Sequence, residues 1–284
     1  MHAKADFTDM YAAVDPRAYY TSLGELDYQI PAYGTPLFRR LCEVIGGGST
    51  EPTILDVCCS FGVNAALLNH ELTMDDLREH YVAAQQAGLS REELVAADRR
   101  MFAESRRPDA VDVIGLDIAG AAVDYAVEVG LLADGVVADL EKDDPPVDVA
   151  ARLADVDLVT VTGGVGYVNE RTFERIVNAG GDAPPWIAAL TLRWIGFDPI
   201  ADQLEQYGLV TERLEGYVAP QRRFADDRER RLVFDNLADR GLRPNQLEVG
   251  GWHSAELFVT RPKEAVYDQP IDELLDGLTA GPPH

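Results

Sequence analysis

The stretch Thr53-Ile54-Leu55-Asp56-Val57-Cys58-Cys59-Ser60-Phe61-Gly62 decides the fold of this 284-residue chain. Its first half is a short apolar and β-branched run of the kind that a buried strand uses. The second half, from Cys59 to Gly62, predicts a turn, and a helix from Asn64 to Leu68 follows it. A strand, a tight turn and a helix in this order predict the first unit of an α/β sheet.

Strand and helix signals alternate in the part of the chain that follows. Apolar runs predict further strands at 111–116, 135–138, 157–161, 186–192, 209–211 and 255–260. Helical periodicity is found between them at 119–128, 147–153 and 171–178, and a charged amphipathic helix is predicted at 222–238. Such alternation is typical of a parallel sheet with helices on both faces. We therefore predict an α/β fold with a doubly wound, mostly parallel sheet of seven strands.

Helical segments flank and interrupt the predicted sheet domain, which we place at residues 51–264. The first 50 residues are predicted to form helices that end at a glycine triplet. A charged, periodic stretch at 71–110 is predicted to be a helical insertion. Residues 217–250 are predicted to form a cap segment, and residues 265–284 a C-terminal tail.

Composition and charge exclude several classes of function. The chain has 25 Lys and Arg against 49 Asp and Glu, a formal net charge of −24. Because binding to a phosphate backbone depends on basic residues, no nucleic-acid partner is expected, and anionic membranes are repelled. The polar N-terminus and the lack of long apolar runs predict a soluble, cytoplasmic protein without membrane contact. The three cysteines fit a reducing compartment, and the spacing of His and Cys predicts no metal site.

Candidate binding residues stand directly after four of the predicted strands. Ligands in open α/β sheets bind outside the carboxyl ends of the strands, so these positions are expected to meet. An acid after the second strand can accept both hydroxyls of a ribose, and small residues let the backbone approach a ligand closely. The candidates are the loop at 56–62, Asp117 with Ile118, Asp139 with Leu140, and Thr162 with Gly163.

Each candidate also has a purely structural alternative. The 56–62 loop could be an ordinary strand-to-helix turn, Asp117 could cap the helix that begins near Ala119, and Asp139 could be one more acidic loop residue. Considered one at a time, these residues do not distinguish a ligand-binding role from a structural one. Their joint order along the chain is far more specific.

In this order the residues resemble the class I S-adenosylmethionine-dependent methyltransferases, over about residues 50–200 and again at 255–260. In that family an acid and alternating glycines form the first loop, and Asp56, Cys58, Ser60 and Gly62 occupy that pattern here. Two of the glycines are thus replaced, and the connection to the second strand is longer than usual. The resemblance implies a Rossmann-like fold and S-adenosyl-L-methionine as cofactor. It also implies cofactor-binding roles, with Asp117 and Ile118 at the ribose, Asp139 and Leu140 at the adenine, and Thr162 and Gly163 at the methionyl group.

A nicotinamide-dependent dehydrogenase is the nearest alternative, because it too has a glycine-rich turn followed by an acid. Its acid stands about 20 residues after the turn. Asp56 and Asp117 are much farther apart than this, and Cys58 and Ser60 break the G-x-G-x-x-G pattern. S-adenosylmethionine is therefore favoured over a nicotinamide.

Three residues are predicted as catalytic. The resemblance implies that residues 1–50 form a lid over the cofactor, and five tyrosines lie in this segment: Tyr11, Tyr19, Tyr20, Tyr28 and Tyr33. Aromatic faces attract cations, so Tyr28 of the lid and Tyr167 after the fourth strand are predicted to lie near the sulfonium. The alternative is that these are half-buried structural tyrosines.

His253, just before the last strand, is a candidate general base, because a neutral imidazole can take up a proton near pH 7. The alternative is a structural role, with its loop at the opposite end of the sheet from the cofactor. A reaction without a general base is a further alternative, because an amine acceptor that binds in its neutral form needs only to be aligned with the cofactor.

The resemblance implies a methyltransferase that acts on a small-molecule acceptor. Two alternatives remain from the sequence: attack on another carbon of the sulfonium, with release of methylthioadenosine, and a protein that binds the cofactor without turnover. The acid surplus favours a neutral or cationic acceptor. The sequence leaves the oligomeric state open, a homodimer included.

Overall fold

The computed structural model describes residues 13–47, 51–181 and 183–278. One sheet of eight strands forms the centre, in the order β3-β2-β1-β4-β5-β8-β6, with β7 paired to β8 as well. The strands are β1 (Ile54–Val57), β2 (Val113–Asp117), β3 (Asp134–Val137), β4 (Leu158–Thr162), β5 (Trp186–Leu192), β6 (Leu209–Arg213), β7 (Ala219–Arg223) and β8 (Trp252–Pro262).

Helices cover the sheet and extend beyond it. Those before the insertion and within it are α1 (Arg17–Gly24), α2 (Ile30–Gly46), α3 (Val63–Asn69), α4 (Met74–Ala87) and α5 (Arg91–Ser105). Those that alternate with strands are α6 (Gly120–Glu128), α7 (Val147–Leu153), α8 (Glu170–Gly180) and α9 (Asp198–Glu205). The remainder are α10 (Asp227–Asp239), α11 (Gln246–Val249), α12 (Lys263–Asp268) and α13 (Ile271–Leu274).

Strands β1 to β5 pair in parallel, and β8 runs antiparallel to β5, β6 and β7. The predicted α/β fold with a doubly wound, mostly parallel, Rossmann-like sheet is therefore confirmed. The sheet has one strand more than the predicted seven. Strand β7 is the addition, and it lies beside the first residues of β8, with Ala219 opposite Ala255.

The predicted helix at 222–238 is wrong at its start. Residues 219–223 form β7, and the helix α10 begins only at Asp227. The side chain of Asp226 accepts a hydrogen bond from the amide of Glu229 at 2.8 Å and so caps the helix. Pro220 fits the strand because β7 pairs only with β8 among the described residues, and proline is tolerated in such edge strands.

Apolar side chains line both faces of the sheet. In β1, Ile54 packs into the core that includes the N-terminal helices, whereas Leu55 and Val57 pack into the core under α7, α8 and α9. Alternate residues of a strand point to opposite faces, so a strand that is apolar throughout is buried on both sides. This explains why a short run such as 53–58 predicts the centre of the sheet.

The N-terminal helices and the helices within 71–110 pack on each other. Helix α1 packs against α4, and the rings of Tyr20 and Tyr81 stack with centroids 4.5 Å apart. The buried carboxylate of Asp98 accepts hydrogen bonds from the hydroxyls of Tyr81 and Tyr125, at 2.8 and 2.7 Å. Tyr11 lies outside the described residues. Across the three described ranges, no helix has both the length and the apolar character needed to cross a membrane.

Candidate functional site

A cavity of about 930 Å³ opens at the carboxyl ends of the parallel strands. Residues from the ends of β1, β2, β3 and β4 line it together with residues of the N-terminal helices and of β7 and β8. The predicted site residues on its walls are Cys58, Ser60, Asp117, Ile118, Asp139, Leu140, Thr162, Gly163, Tyr28, Tyr167 and His253. Two predicted residues, Asp56 and Gly62, lie behind the wall.

The loop after β1 keeps a glycine-like backbone with other residues. Cys58 and Ser60 have φ values of +59° and +48°, and Gly62 has +76°. A left-handed conformation costs a residue with a side chain about 1–2 kcal/mol, because its Cβ crowds the backbone. The structure therefore maintains the alternating left-handed conformation of the loop at Cys58 and Ser60 despite this cost.

Asp117 joins the end of β2 to this loop. Its Oδ2 accepts a hydrogen bond from the amide of Ser60, and its Oδ1 accepts one from the amide of Ala119, both at 2.9 Å. Each carboxylate oxygen has a second lone pair, so both can still accept a bond from the cavity. The arrangement can accept two neighbouring hydroxyl groups.

Asp139 and Leu140 form the part of the wall after β3. The ammonium of Lys142 lies 2.6 Å from Oδ2 of Asp139 and holds the pKa of that carboxyl below its usual range. Leu140 is buried and offers an apolar surface, whereas Ile118 is 70% exposed at the edge of the cavity. Apolar side chains together with a carboxylate can hold a flat ring that carries an amino group.

Asp56 is fully buried beneath the loop. Its Oδ1 accepts hydrogen bonds from Asn64 at 2.7 Å and from Thr160 at 3.1 Å, whereas no described residue bonds its Oδ2. Burial raises the pKa of Asp56 to about 7. Gly62 is the N-cap of α3, and a Cβ there would lie 3.2 Å from that of Ala126. Both residues therefore shape the loop from behind.

Tyr28 connects the N-terminal helices to the fourth strand. Its hydroxyl hydrogen-bonds with the side chains of Tyr19 and Thr162. Burial raises the pKa of Tyr28 to about 12, so the phenol stays protonated at neutral pH. The hydroxyl of Thr162 in turn bonds to Asn64, at 3.1 Å. Tyr167 is 53% exposed and lies at the rim.

His253 lies at the same end of the sheet as the loop, because β8 runs antiparallel and so begins where the parallel strands end. The alternative that put its loop at the opposite end is wrong. The indole Nε1 of Trp194 donates to Nδ1 of His253 at 3.3 Å, and Nε2 lies 3.3 Å from a carboxylate oxygen of Glu229. Because an indole can only donate, Nδ1 is the acceptor and the proton of the neutral ring is on Nε2.

The sequence did not point to Arg222 and Glu229, which form a buried ion pair beside His253. Two nitrogens of Arg222 lie 2.9 and 2.6 Å from the oxygens of Glu229, and Arg222 lines the cavity. Burial opposes ionisation of Glu229, but His253 and Arg222 hold its pKa well below the usual range. The pattern Asp226-x-x-Glu229 is a helix-start signal that could have placed Arg222 outside the helix.

Comparison with known proteins gives similarity at the level of structure. No family model matches the chain, and no curated protein matches it. Among solved structures, it is similar to a TehB-like SAM-dependent methyltransferase from Corynebacterium glutamicum, with 17% identity, a TM-score of 0.37, and coverage of 78% of this chain and 87% of that one.

Two further structures are similar over most of the chain. One is the plantazolicin methyltransferase BpumL in complex with SAH, with 10% identity, a TM-score of 0.41, and coverage of 90% of this chain and 96% of that one. The other is a cyclopropane-fatty-acyl-phospholipid synthase-like protein from Lactobacillus casei, with 11% identity, a TM-score of 0.39, and coverage of 86% and 97%. Such low identities and TM-scores assign neither a substrate nor a catalytic residue to this chain.

Within residues 13–47, 51–181 and 183–278, no group of three or more His, Cys, Asp or Glu side chains is placed to hold a metal ion. The groups that converge on the cavity are carboxylates, hydroxyls, amides and aromatic rings, which suit an organic ligand.

Proposed function

We propose that this chain is an S-adenosylmethionine-dependent methyltransferase that acts on a small-molecule acceptor. The observation that supports this most directly is the bond between Asp117 and the amide of Ser60 at the wall of one cavity. It joins a ribose-type carboxylate to a left-handed loop at the carboxyl ends of adjacent strands. The cavity, about 930 Å³, lies within the usual range of about 300–1,000 Å³ for ligand pockets.

The residues present fit the cofactor. Asp117 would accept from the ribose hydroxyls, Asp139 and Leu140 would hold the adenine, and Thr162 and Gly163 would face the methionyl group. Ser60 offers a further contact, because its side chain is 4% exposed and no described residue bonds its Oγ. A buried hydroxyl without a partner is unfavourable until a ligand satisfies it.

When bound, S-adenosylmethionine supplies a methyl group on a positively charged sulfur. Tyr28 and Tyr167 would place aromatic rings near that charge, an attraction worth roughly 0.5–2 kcal/mol. In this proposal residues 1–50, 71–110 and 217–250 form the acceptor side of the site. Tyr28 and Arg222 support this for the first and the third of these segments, because both line the cavity.

The chain's own groups favour alignment over proton abstraction. Tyr28 stays protonated at neutral pH, and Nδ1 of His253 already accepts a bond from Trp194. We therefore propose that His253 is a positioning residue that orients Glu229 and Trp194. The acceptor would bind with its nucleophilic lone pair already available, and the walls would hold it close to the cofactor. Such positioning can contribute up to about 7–11 kcal/mol.

Mass spectrometry of reaction products tests the proposal. The protein is incubated with S-adenosylmethionine alone and then with a mixture of metabolites. We expect S-adenosylhomocysteine and one acceptor heavier by a methyl group, and neither without the mixture. Methylthioadenosine as product, or turnover without a second substrate, would contradict methyl transfer. Tight binding without any product would identify a non-catalytic protein.

A further inference from the structure

A second cavity of about 690 Å³ adjoins the first. It lies between α1, α2 and the segment from His70 to Arg78. Tyr19, Leu23 and Tyr28 line both cavities, so the two cavities share part of their walls. The second cavity is itself large enough for a small organic molecule.

Aromatic side chains dominate part of this lining. Besides the shared tyrosines, it contains Tyr20, Tyr33 and Trp252. Tyr20 and Tyr33 belong to the N-terminal helices, and Trp252 begins β8 beneath the guanidinium of Arg223, which lies 4.5 Å from its ring centroid. Rings pack well against a flat apolar group and leave polar edges available for hydrogen bonds.

Arg39 brings a cation to this cavity. One of its nitrogens, Nη2, donates to the carbonyls of Leu67 and Leu68 at 2.8 and 3.1 Å. Its Nε has no hydrogen-bond partner among the described residues, and no described carboxylate forms an ion pair with it. Burial and the nearby guanidinium of Arg107 lower the pKa of Arg39. A bound anion would offset both effects, because its negative charge stabilises the protonated guanidinium.

The other charged groups of this lining have partners, with one exception. Arg78 pairs with Asp75 at 2.9 Å, Asp27 with Arg223 at 2.6 Å, and Arg107 with Asp109 at 3.0 Å. The exception is Glu71, which lines the cavity and forms no ion pair with a described residue. Arg39 is therefore the described cation of this cavity that lacks a carboxylate.

We propose that the second cavity binds an aromatic carboxylate, with the carboxylate on Arg39 and the ring against the tyrosines. This inference deepens the proposed function and rests on it in one respect, namely that the bound molecule is the methyl acceptor. Its reactive end would extend past Tyr28 into the first cavity. Because Nη2 already donates to Leu67 and Leu68, the other nitrogens of the Arg39 guanidinium would donate charge-assisted hydrogen bonds to the carboxylate. The acid surplus of the whole chain predicts a neutral or cationic acceptor, but the local charge at Arg39 favours an anionic one.

Calorimetry with a matched pair of probes tests this proposal. The probes are 2-naphthoate and its neutral isostere 2-naphthamide, each titrated into the full chain without cofactor. We expect 2-naphthoate to bind at least about tenfold more tightly, because only it can form charge-assisted bonds to Arg39. Equal affinities, or no binding of either probe, would overturn the proposal.

Two variants test whether the preference for 2-naphthoate depends on Arg39. Arg39→Gln should abolish the preference for 2-naphthoate, whereas Arg40→Gln should keep it, because Arg40 is next in the same helix and does not line the cavity. An unchanged preference in Arg39→Gln overturns the proposal. If Arg39→Gln does not fold, the comparison of the two probes in the unaltered chain still tests whether the cavity prefers a carboxylate, and equal affinities overturn the proposal.

S-adenosylhomocysteine separates this proposal from the proposed function. We expect it to bind in the presence of saturating 2-naphthoate, because the two ligands occupy different cavities. Competition between them would overturn the second site. If 2-naphthoate binds through Arg39 and S-adenosylhomocysteine does not bind at all, the cofactor assignment fails and the carboxylate site stands.

Discussion

The carboxylate of Asp117 accepts a hydrogen bond from the amide of Ser60 across 2.9 Å. The two residues are 57 positions apart, and the helices α4 and α5 lie between them in the chain. The left-handed φ of Ser60 is part of the backbone geometry that makes this bond. The insertion therefore leaves the contact between the first two strand ends intact.

Substitution of Asp117 should weaken cofactor binding. We expect Asp117→Ala to lower the affinity for S-adenosylmethionine by about 1.5–3 kcal/mol, because the ribose hydroxyls lose a charged acceptor. Titration calorimetry measures this. Asp124→Ala, at an exposed position of α6, is the matched control and should bind normally. Unchanged affinity in Asp117→Ala would remove this residue from the site.

Substitutions at Ser60 test the strain in the loop. Ser60→Gly should unfold at the same urea concentration as the parent or at a higher one, since glycine adopts a left-handed φ without strain. Ser60→Val should lower the free energy of unfolding by about 2 kcal/mol or more, because a β-branched side chain is strongly disfavoured there. Equal stability of the glycine and valine variants would show that the loop does not hold this φ in solution.

The ion pair of Arg222 and Glu229 should matter for stability. We expect Glu229→Gln to lower the free energy of unfolding by about 3–5 kcal/mol, because it leaves a buried guanidinium without its carboxylate. Denaturant titration followed by circular dichroism measures this. The control is Glu215→Gln, which removes an exposed partner of Arg213 and should change stability by less than about 1 kcal/mol. Similar losses in both variants would argue that Arg222 is hydrated.

The buried carboxyl of Asp56 should make stability depend on pH. Its pKa is raised from 3.8 to about 7, so between these values the folded state holds a proton that the unfolded state has lost. Stability from this group is therefore present at low pH and decreases as the pH rises toward 7, by roughly 4 kcal/mol in total. Above pH 7 the contribution is constant.

Comparison with Asp56→Asn isolates this effect, because the amide does not titrate. The difference in free energy of unfolding between the parent and Asp56→Asn should shift against the parent from pH 5 to pH 8. Asp155→Asn, at an exposed position, should show no such shift. A pH-independent difference for Asp56→Asn would mean that the carboxyl is ionised in the folded protein throughout this range.

Local sequence predicted the features that depend on neighbouring residues. The apolar runs around Leu55, Val113 and Val159 predict buried strands, because both faces of each strand must be covered. The positions after these strands then meet at one edge by the geometry of a parallel sheet. The spacing of Asp56, Cys58, Ser60 and Gly62 predicted a loop whose conformation at the last three is left-handed in the structure.

Features that depend on distant pairing could not be predicted in this way. Residues 219–223 form a strand because β8, whose paired residues are 29 to 36 positions later, offers an open edge. The direction of β8, and with it the location of His253, is a property of the whole sheet. Asp56 was predicted to contact the cofactor, but the structure places it behind the loop, because Asn64 and Thr160 hold its side chain there.

Tyr19, Leu23 and Tyr28 belong to the walls of both cavities, and this shared wall has a thermodynamic consequence. A molecule on one side that fixes these three side chains removes part of the conformational entropy loss that a molecule on the other side would otherwise incur. Any such coupling is reciprocal, so each ligand would change the affinity for the other by the same factor. We expect each affinity to be higher in the ternary complex than when it is measured for one cavity alone.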